Sequence, residues 1–207
     1  MKVAVFGSFY RGYYVLGELL YGPCSDRIEI VGLATDDPTQ TYVNAQNRVW
    51  KYPHSYREEN MVADLAYRFD IPVYRGKVKS ARFYNIFENE WKPDLCLMAT
   101  FGQLIDARLI RFPGLGFYNF HPSDVGIWPS IYAGCNPFQA MFEKNEKECV
   151  VTLHEVNEQF DQGRRIACSD IILIPPGVTV TDMHKISAPV TANLLRRTLP
   201  QLLQVMP

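Results

Sequence analysis

The chain has 207 residues, of which 47% are hydrophobic and 21% charged, and a net charge of −1; this suits one globular domain with a sizeable core. No lysine- or arginine-rich run supplies the clustered positive charge of a nucleic-acid grip, and no apolar stretch is long enough to span a bilayer, so neither nucleic acid nor membrane is expected as a partner. Five scattered cysteines (Cys24, Cys96, Cys135, Cys149 and Cys168) form no C-x-x-C pair, which fits a reduced, cytoplasmic protein without structural zinc.

Lys2 to Phe6 reads as a short buried strand that meets Gly7, and Tyr13 to Leu20 follows at helical spacing with Val15, Leu16, Leu19 and Leu20 apolar. Ile28 to Ala34 is a second strand. Thr35 to Tyr56 is irregular and long for a connection in a compact domain, as functional loops often are. Helical periodicity returns over Met61 to Phe69, Ile71 to Tyr74 is a brief strand, Ala81 to Glu90 a helix and Pro93 to Ala99 a central strand. This alternation predicts a parallel sheet with helices on both faces, an α/β Rossmann-like fold. Gly116 to Phe120 is a short strand before a Gly- and Pro-rich loop, Pro122 to Pro137. Cys149 to Val156 and Arg165 to Ile174 are strands, and Thr181 to Leu203 is a helix bent at Pro189, whose ring removes a backbone hydrogen bond. The whole chain is expected to be a single domain.

Several signals are weak. The turn Gly7-Ser8-Phe9-Tyr10-Arg11-Gly12 sits where a doubly wound fold places a phosphate-binding turn, yet it is neither G-x-G-x-x-G nor a P-loop, and Phe9 and Tyr10 would hinder a pyrophosphate. His54 and His184 stand in polar surroundings and read as surface residues, and His154 reads as a sheet residue. No histidine has metal-ligand spacing, so no metal is expected. No serine lies in G-x-S-x-G.

Gly116-Phe117-Tyr118-Asn119-Phe120-His121-Pro122-Ser123 differs in kind. In a strand, Asn119 and His121 point the same way, so an amide and an imidazole project together at the strand's end. Taken alone, this is a hydrogen-bonded pair at a strand terminus.

The segment resembles the family of 10-formyltetrahydrofolate-dependent formyltransferases, which includes methionyl-tRNA, glycinamide ribonucleotide and sugar-amine enzymes. The resemblance rests on Asn119-Phe120-His121-Pro122-Ser123 and, further on, Phe160-Asp161-Gln162-Gly163. Lys92-Pro93-Asp94, Phe101-Gly102-Gln103-Leu104-Ile105 and Tyr132-Ala133-Gly134-Cys135-Asn136-Pro137 follow the family's order. Asp124-Val125-Gly126-Ile127-Trp128-Pro129 departs from the family's Leu-Leu-Pro after the serine, and Ser8 to Arg11 does not reproduce the Gly-Ser-rich phosphate turn of the glycinamide ribonucleotide enzymes.

The resemblance implies formyl transfer from 10-formyltetrahydrofolate to the primary amine of a small molecule, with Asn119, His121 and Asp161 catalytic. An amine attacks the formyl carbon, negative charge develops on its oxygen, and a proton must move from the attacking to the leaving nitrogen. Asn119 and protonated His121 can donate to that oxygen, and Asp161 can pair with His121 and orient it. The resemblance also places the pterin between Phe101, Gly102, Gln103, Leu104 and Ile105 on one side and Val156, Asn157, Glu158 and Phe160 on the other. The acceptor is expected against Ser8, Phe9, Tyr10, Arg11 and Trp50, with Tyr42 and Tyr52 as further stacking surfaces and Asn44 and Asn47 as polar contacts. Arg11 is either a partner for an acceptor phosphate or a solvated helix-start residue. A nucleotide-linked amino sugar fits such a wall. Glycinamide ribonucleotide as acceptor, hydrolysis of formyltetrahydrofolate, and a silent folate- or nucleotide-binding module are the alternatives, and a homodimer is left open.

Overall fold

Val3 to Phe6 are apolar on both faces, which is what a strand covered on both sides requires. In the computed structural model, which describes residues 1–43 and 45–204, this strand, β1 (Lys2–Gly7), lies inside an eight-stranded sheet. It pairs in parallel with β2 (Glu29–Ala34) on one side and β4 (Leu95–Ala99) on the other. The short β3 (Val73–Tyr74) adds beyond β2 and β5 (Phe117–Ser123) beyond β4, both in parallel. Then the direction changes. β6 (Glu148–Glu155) runs antiparallel to β5, and both β7 (Arg165–Cys168) and β8 (Ile172–Leu173) pair antiparallel with β6. The order is β3-β2-β1-β4-β5-β6-β7, with β8 on β6. The chain builds outward from β1 to β3 and then returns to the other side with β4. This switch between β1 and β4 opens a crevice at the strands' carboxyl ends, the usual ligand position in such sheets.

Helix α1 (Phe9–Tyr21) starts one turn earlier than its apolar spacing suggests, so Arg11 and Gly12 join Val15, Leu16 and Leu19 on the buried stripe. A Cβ at Gly12 would lie 2.7 Å from the Gly7 carbonyl carbon, so only glycine lets α1 leave β1 this closely. The other helices are α2 (Tyr56–Tyr67), α3 (Ala81–Asn85, continued as a π-helical turn over Ile86–Trp91), α4 (Ala107–Ile110), α5 (Pro137–Glu143) and α6 (Val180–Leu202). Capping boxes at Ser55 and Thr179 start α2 and α6. Helix α6 continues through Pro189 and Pro200.

Two apolar layers flank the sheet. On one face Val15, Leu16, Leu194, Leu195 and Leu199 of α1 and α6 pack on Val3, Val5, Leu95 and Leu97. On the other, Phe83, Phe87, Trp91 and Leu109 pack on Ala4, Phe6, Cys96 and Phe117. Each such fully buried side chain contributes roughly 1.5–3 kcal/mol of transfer free energy. Bidentate bonds from Arg196 to Glu18, 2.9 and 2.7 Å long, tie α6 to α1. The single strand expected over Arg165 to Ile174 is two. Ser169 Oγ accepts the Val151 N–H at 2.9 Å, so a side chain takes the place of a ladder carbonyl and interrupts the pairing. No helix among the described residues is long and apolar enough to cross a membrane.

Candidate functional site

Strand β5 outruns β4. Its register pairs Met98 with Asn119 and Ala99 with Phe120, after which β4 ends and His121 to Ser123 are held by β6 alone. The alternation of a strand puts Asn119 and His121 on one face, and the antiparallel register sets His154 opposite Asn119 and Thr152 opposite His121. The loop after β6 brings Asp161 back over this strand end. Its φ of +50° is a left-handed value that aspartate tolerates. Two residues later, a Cβ at Gly163 would lie 1.8 Å from the Glu155 carbonyl oxygen, so glycine is required for the return.

The three expected catalytic residues come together. Asp161 Oδ2 lies 3.3 Å from His121 Nε2 and accepts the Gly134 N–H at 3.1 Å, while Oδ1 accepts from Asn119 Nδ2 at 3.3 Å. His121 Nε2 also faces the Gly134 carbonyl oxygen at 3.2 Å. Both neighbours of Nε2 are acceptors, so Nε2 carries the proton and Nδ1, which has no partner, keeps a lone pair in the neutral ring.

His154 joins the same network, although its place in a strand suggests only a sheet role. Its Nδ1 donates to the Glu155 carbonyl oxygen at 2.7 Å, and its Nε2 accepts from Asn119 Nδ2 at 3.2 Å. Burial lowers its pKa and keeps the ring neutral, consistent with that tautomer. The Trp128 ring lies 4.9 Å from it, and Trp128 Nε1 donates to the Gly163 carbonyl oxygen at 2.9 Å. The unusual loop after Ser123 therefore supplies a wall to His154. Both hydrogens of the Asn119 amide are engaged, on Asp161 and on His154, which also fixes which amide atom is nitrogen. One of these long bonds must yield before Asn119 can donate to a substrate oxygen, as catalytic hydrogen bonds often tighten only in the complex.

A cavity of about 420 Å³ opens beside these residues, within the range of small-molecule sites. All nine residues expected around the pterin line it: Phe101, Gly102, Gln103, Leu104, Ile105, Val156, Asn157, Glu158 and Phe160. Leu104 is 53% and Phe160 43% exposed, so flat apolar surface is left uncovered on this wall. Phe101, Ile105 and Val156 root it in the Phe83–Phe87 layer of the core. Thr100, with φ of +57°, also lines the cavity; a β-branched residue in that region is a real outlier, of the kind that collects at ligand sites.

The expected acceptor wall turns out differently. Of Ser8, Phe9, Tyr10, Arg11 and Trp50, only Arg11 lines the cavity. Ser8 Oγ is 3.1 Å from Thr35 Oγ1 and accepts the Asp36 N–H at 3.0 Å. Phe9 and Trp50 are buried with Val43 and Val49 in a small core, their rings 5.6 Å apart. Tyr10 donates to Glu58 at 2.6 Å. The physical reason is Asp36, a buried carboxylate raised to about 6 by burial, which needs donors: Trp50 Nε1 at 3.2 Å and the Gly102 N–H at 2.9 Å supply them. Tyr42 and Tyr52 likewise spend their hydroxyls inward, on the Arg75 carbonyl oxygen at 3.0 Å and Gln139 Oε1 at 3.5 Å. The Asn47 carbonyl oxygen receives the Asn136 amide at 2.8 Å; Asn44 lies outside the described residues.

Two histidines read as surface residues differ from that expectation. His184 is buried between Phe9 and Phe138, with ring separations of 5.6 and 5.2 Å, and lines the cavity. His54 is half-buried against Trp50 at 5.2 Å. Asp36, Arg48, Lys79 and Cys135 also line the cavity and were not singled out by their sequence context. Among the described residues, no three or more His, Cys, Asp or Glu side chains stand together as a metal site.

The sequence profile of the family described as formyl transferase matches residues 30–199. The methionyl-tRNA formyltransferase of Kosmotoga olearia is 32% identical over 103 residues, 49% of this chain and 32% of that protein. For that of Thermotoga maritima the identity is 27% over 124 residues, 60% of this chain and 38% of the relative. The chain thus spans about a third of the length of these curated relatives. Among solved structures, glycinamide ribonucleotide transformylase 1 from Geobacillus kaustophilus superposes with a TM-score of 0.68 at 20% identity, covering 97% of both chains. Phosphoribosylglycinamide formyltransferase from Anaplasma phagocytophilum gives 0.71 at 17% identity, covering 99% of this chain and 87% of its own. A formyltetrahydrofolate deformylase from Pseudomonas syringae pv. tomato gives 0.66 at 20% identity over 96% of this chain and 61% of its own. At such identities the likeness concerns the fold.

Proposed function

Because the chain belongs to the formyl transferase family, we propose that it moves a formyl group from 10-formyltetrahydrofolate to the primary amine of a small molecule, such as a nucleotide-linked amino sugar. The observation that carries this reading is the closed network of Asn119, His121 and Asp161 at the edge of a cavity with an uncovered apolar wall. The wall's Leu104 and Phe160 suit a flat ring, and the donor supplies the activated formyl group.

His121 is arranged as a proton carrier. Asp161 and the Gly134 carbonyl oxygen hold Nε2–H, which leaves the buried, unpartnered Nδ1 as the basic nitrogen; it takes the proton released by the attacking amine once the ring shifts to expose it. Asp161 stabilises the imidazolium that results, and the imidazolium can return the proton to the leaving nitrogen. Asn119, released from His154 or Asp161, donates to the formyl oxygen as charge develops on it. Loss of one such donor in comparable sites costs roughly 3–4 kcal/mol in the barrier. His154, neutral and acting as an acceptor, holds the amide's orientation until then.

Glycinamide ribonucleotide is less well supported as acceptor, because the turn after β1 spends its serine on Thr35 and Asp36 and packs Phe9 into a small core. The test is consumption of 10-formyltetrahydrofolate with and without a panel of amines. Amine-dependent loss of the donor supports transfer; amine-independent loss would mean hydrolysis, and binding without loss a silent module.

A further inference from the structure

The loop after Ser123 is closed at its base by its own hydroxyl and carboxylate. Asp124 Oδ1 accepts from Ser130 Oγ at 2.5 Å, and Ser130 Oγ accepts the Tyr132 N–H at 3.1 Å. Within the loop Val125, Gly126, Ile127 and Pro129 are exposed, whereas Trp128 between them is half-buried. Its ring lies 4.9 Å from that of His154 at an interplanar angle of 43°, and its Nε1 donates to the Gly163 carbonyl oxygen at 2.9 Å. Both neighbours bear on one amide. His154 Nε2 accepts from Asn119 Nδ2 at 3.2 Å. Gly163 follows Asp161 in the return over the strand end, and Asp161 Oδ1 accepts from the same nitrogen at 3.3 Å. Both bonds are long and hold direction weakly, so the aim of Asn119 depends on how firmly its two acceptors are themselves held.

We propose that Trp128 is a positioning residue for formyl transfer, acting through its ring on His154 and through its N–H on Gly163 to fix both acceptors that aim the Asn119 amide. This deepens the transferase reading and rests on it. The family's Leu-Leu-Pro after the serine has no side-chain N–H to offer, so the brace belongs to this chain's departure from that pattern. The ring also bears on a charge state. His154 is 2% exposed, and burial lowers its pKa. Asp161, 3.6 Å from its Nε2, pulls the other way, and His121 adds to the lowering. Arg165 stands opposite in the β7 register, and Glu155 is paired with Arg164. Removing the tryptophan admits water to the imidazole and eases its protonation. A protonated His154 donates at both nitrogens, so Nε2 then turns to Asp161 and no longer accepts from Asn119.

The experiment measures kcat, both KM values and the pH profile of the full chain in wild type, Trp128→Phe and Trp128→Leu, and follows the titration of the His154 ring by NMR. Trp128→Phe keeps the cover and loses the donor. Its kcat should fall about 2- to 10-fold, the worth of one neutral hydrogen bond, with the acid limb unmoved. Trp128→Leu loses both contacts. Its kcat should fall about 10- to 100-fold, within the roughly 10²- to 10³-fold cost of removing an oxyanion donor outright. Donor and amine KM should stay near wild type, because the aim of the amide matters in the transition state. His154 in Trp128→Leu should titrate at higher pH than in wild type, and the acid limb of kcat should move up with it. In an Asn119→Ala background, Trp128→Leu should cost little more, since the group it aims is gone. A purely structural role would lower stability without this coupling. Wild-type kcat in Trp128→Leu, an unmoved His154 titration, or a full further loss in the Asn119→Ala background overturns the proposal and leaves the transferase reading intact. Should Trp128→Leu fail to fold, Trp128→Phe decides: wild-type kcat, or its full loss repeated in the Asn119→Ala background, overturns the proposal. A wild type that consumes no donor with any amine removes the transferase reading, and the proposal with it.

Discussion

Two walls rise from the carboxyl ends of the strands, and they are built on opposite plans. The Phe101–Ile105 and Val156–Phe160 segments root Phe101, Ile105 and Val156 in the core and leave Leu104 and Phe160 half exposed on the cavity. The turn after β1 and the Thr35–Tyr56 strap pack inward, with Phe9, Val43, Val49 and Trp50 in a small core and Trp50 donating to the carboxylate of Asp36. Both are loops after strands that carry aromatic residues, so residue type alone does not tell them apart. A binding wall is recognised by what it leaves unsatisfied. On the first this is apolar surface; on the second it is a buried cation, Arg11, with which no carboxylate among the described residues forms an ion pair.

The largest expected effect belongs to the seam between the walls. His121→Ala should lower kcat by about 10²- to 10⁴-fold, the range for a lost general acid–base, with unchanged donor affinity and thermal midpoint. Steady-state rates with the best amine, beside donor binding and melting curves, check this. Unchanged turnover would remove His121 from the mechanism; lost donor affinity would mean that the seam belongs to the first wall.

The second effect breaks the packed wall. Trp50→Ala removes a buried ring and one donor to Asp36, and the loss should be about 3–5 kcal/mol, as for other aromatic truncations in cores. Chemical denaturation measures it. A stable variant with a raised amine KM would instead make Trp50 an acceptor contact.

Much of this was readable in advance, for local reasons. The Asn119-x-His121 pair follows from strand periodicity, and the sheet class from strand–helix alternation. Asp161 was reachable only through the family resemblance, because it meets β5 through a loop that returns over the strand end. His154 escaped because its role depends on register: only the pairing of β5 with β6 sets it opposite Asn119. Arg11 was half legible. It lies four residues before Val15, on the helix's buried stripe, but the apolar spacing by itself starts the helix at Tyr13. The strap misled because Tyr42, Trp50 and Tyr52 among amides look like stacking surfaces, while the buried carboxylate that draws Trp50 inward is a tertiary demand.

A third prediction sharpens the comparison through pH. The Asp36 carboxyl is raised from 3.8 to about 6 in the folded chain, chiefly by burial. An acid whose folded pKa exceeds its unfolded value favours folding below the unfolded pKa and loses that contribution as pH rises through the folded one. The swing between pH 4 and 7 is on the order of 3 kcal/mol. Glu58 acts in the opposite sense: against the pull of its own burial, hydrogen bonds from Tyr10 and Ser55 hold it at about 2. Wild type alone therefore does not isolate Asp36. The difference in stability between wild type and Asp36→Asn should shift against wild type as pH rises through 6. A flat difference would mean that Asp36 is not desolvated, and the strap would then be looser than its packing implies.

The smallest effect tests the open wall. Leu104 is half exposed and contributes little to the core, so Leu104→Ala should leave the thermal midpoint within about a degree, as surface substitutions usually do. If its side chain covers one face of the donor's ring, the variant forfeits part of that burial, roughly 1 kcal/mol. The donor KM should rise about three- to tenfold while kcat at saturating donor stays near wild type, because contact with a remote ring is the same in the ground state and the transition state. The amine KM should not move. The contrast with Trp50→Ala is then complete: one wall loses stability and keeps its ligand affinity, the other loses affinity and keeps its stability. A Leu104→Ala variant that melts early with normal donor KM would reverse the two plans, making the Phe101–Ile105 segment a packing loop and leaving the donor's ring to the Val156–Phe160 side alone.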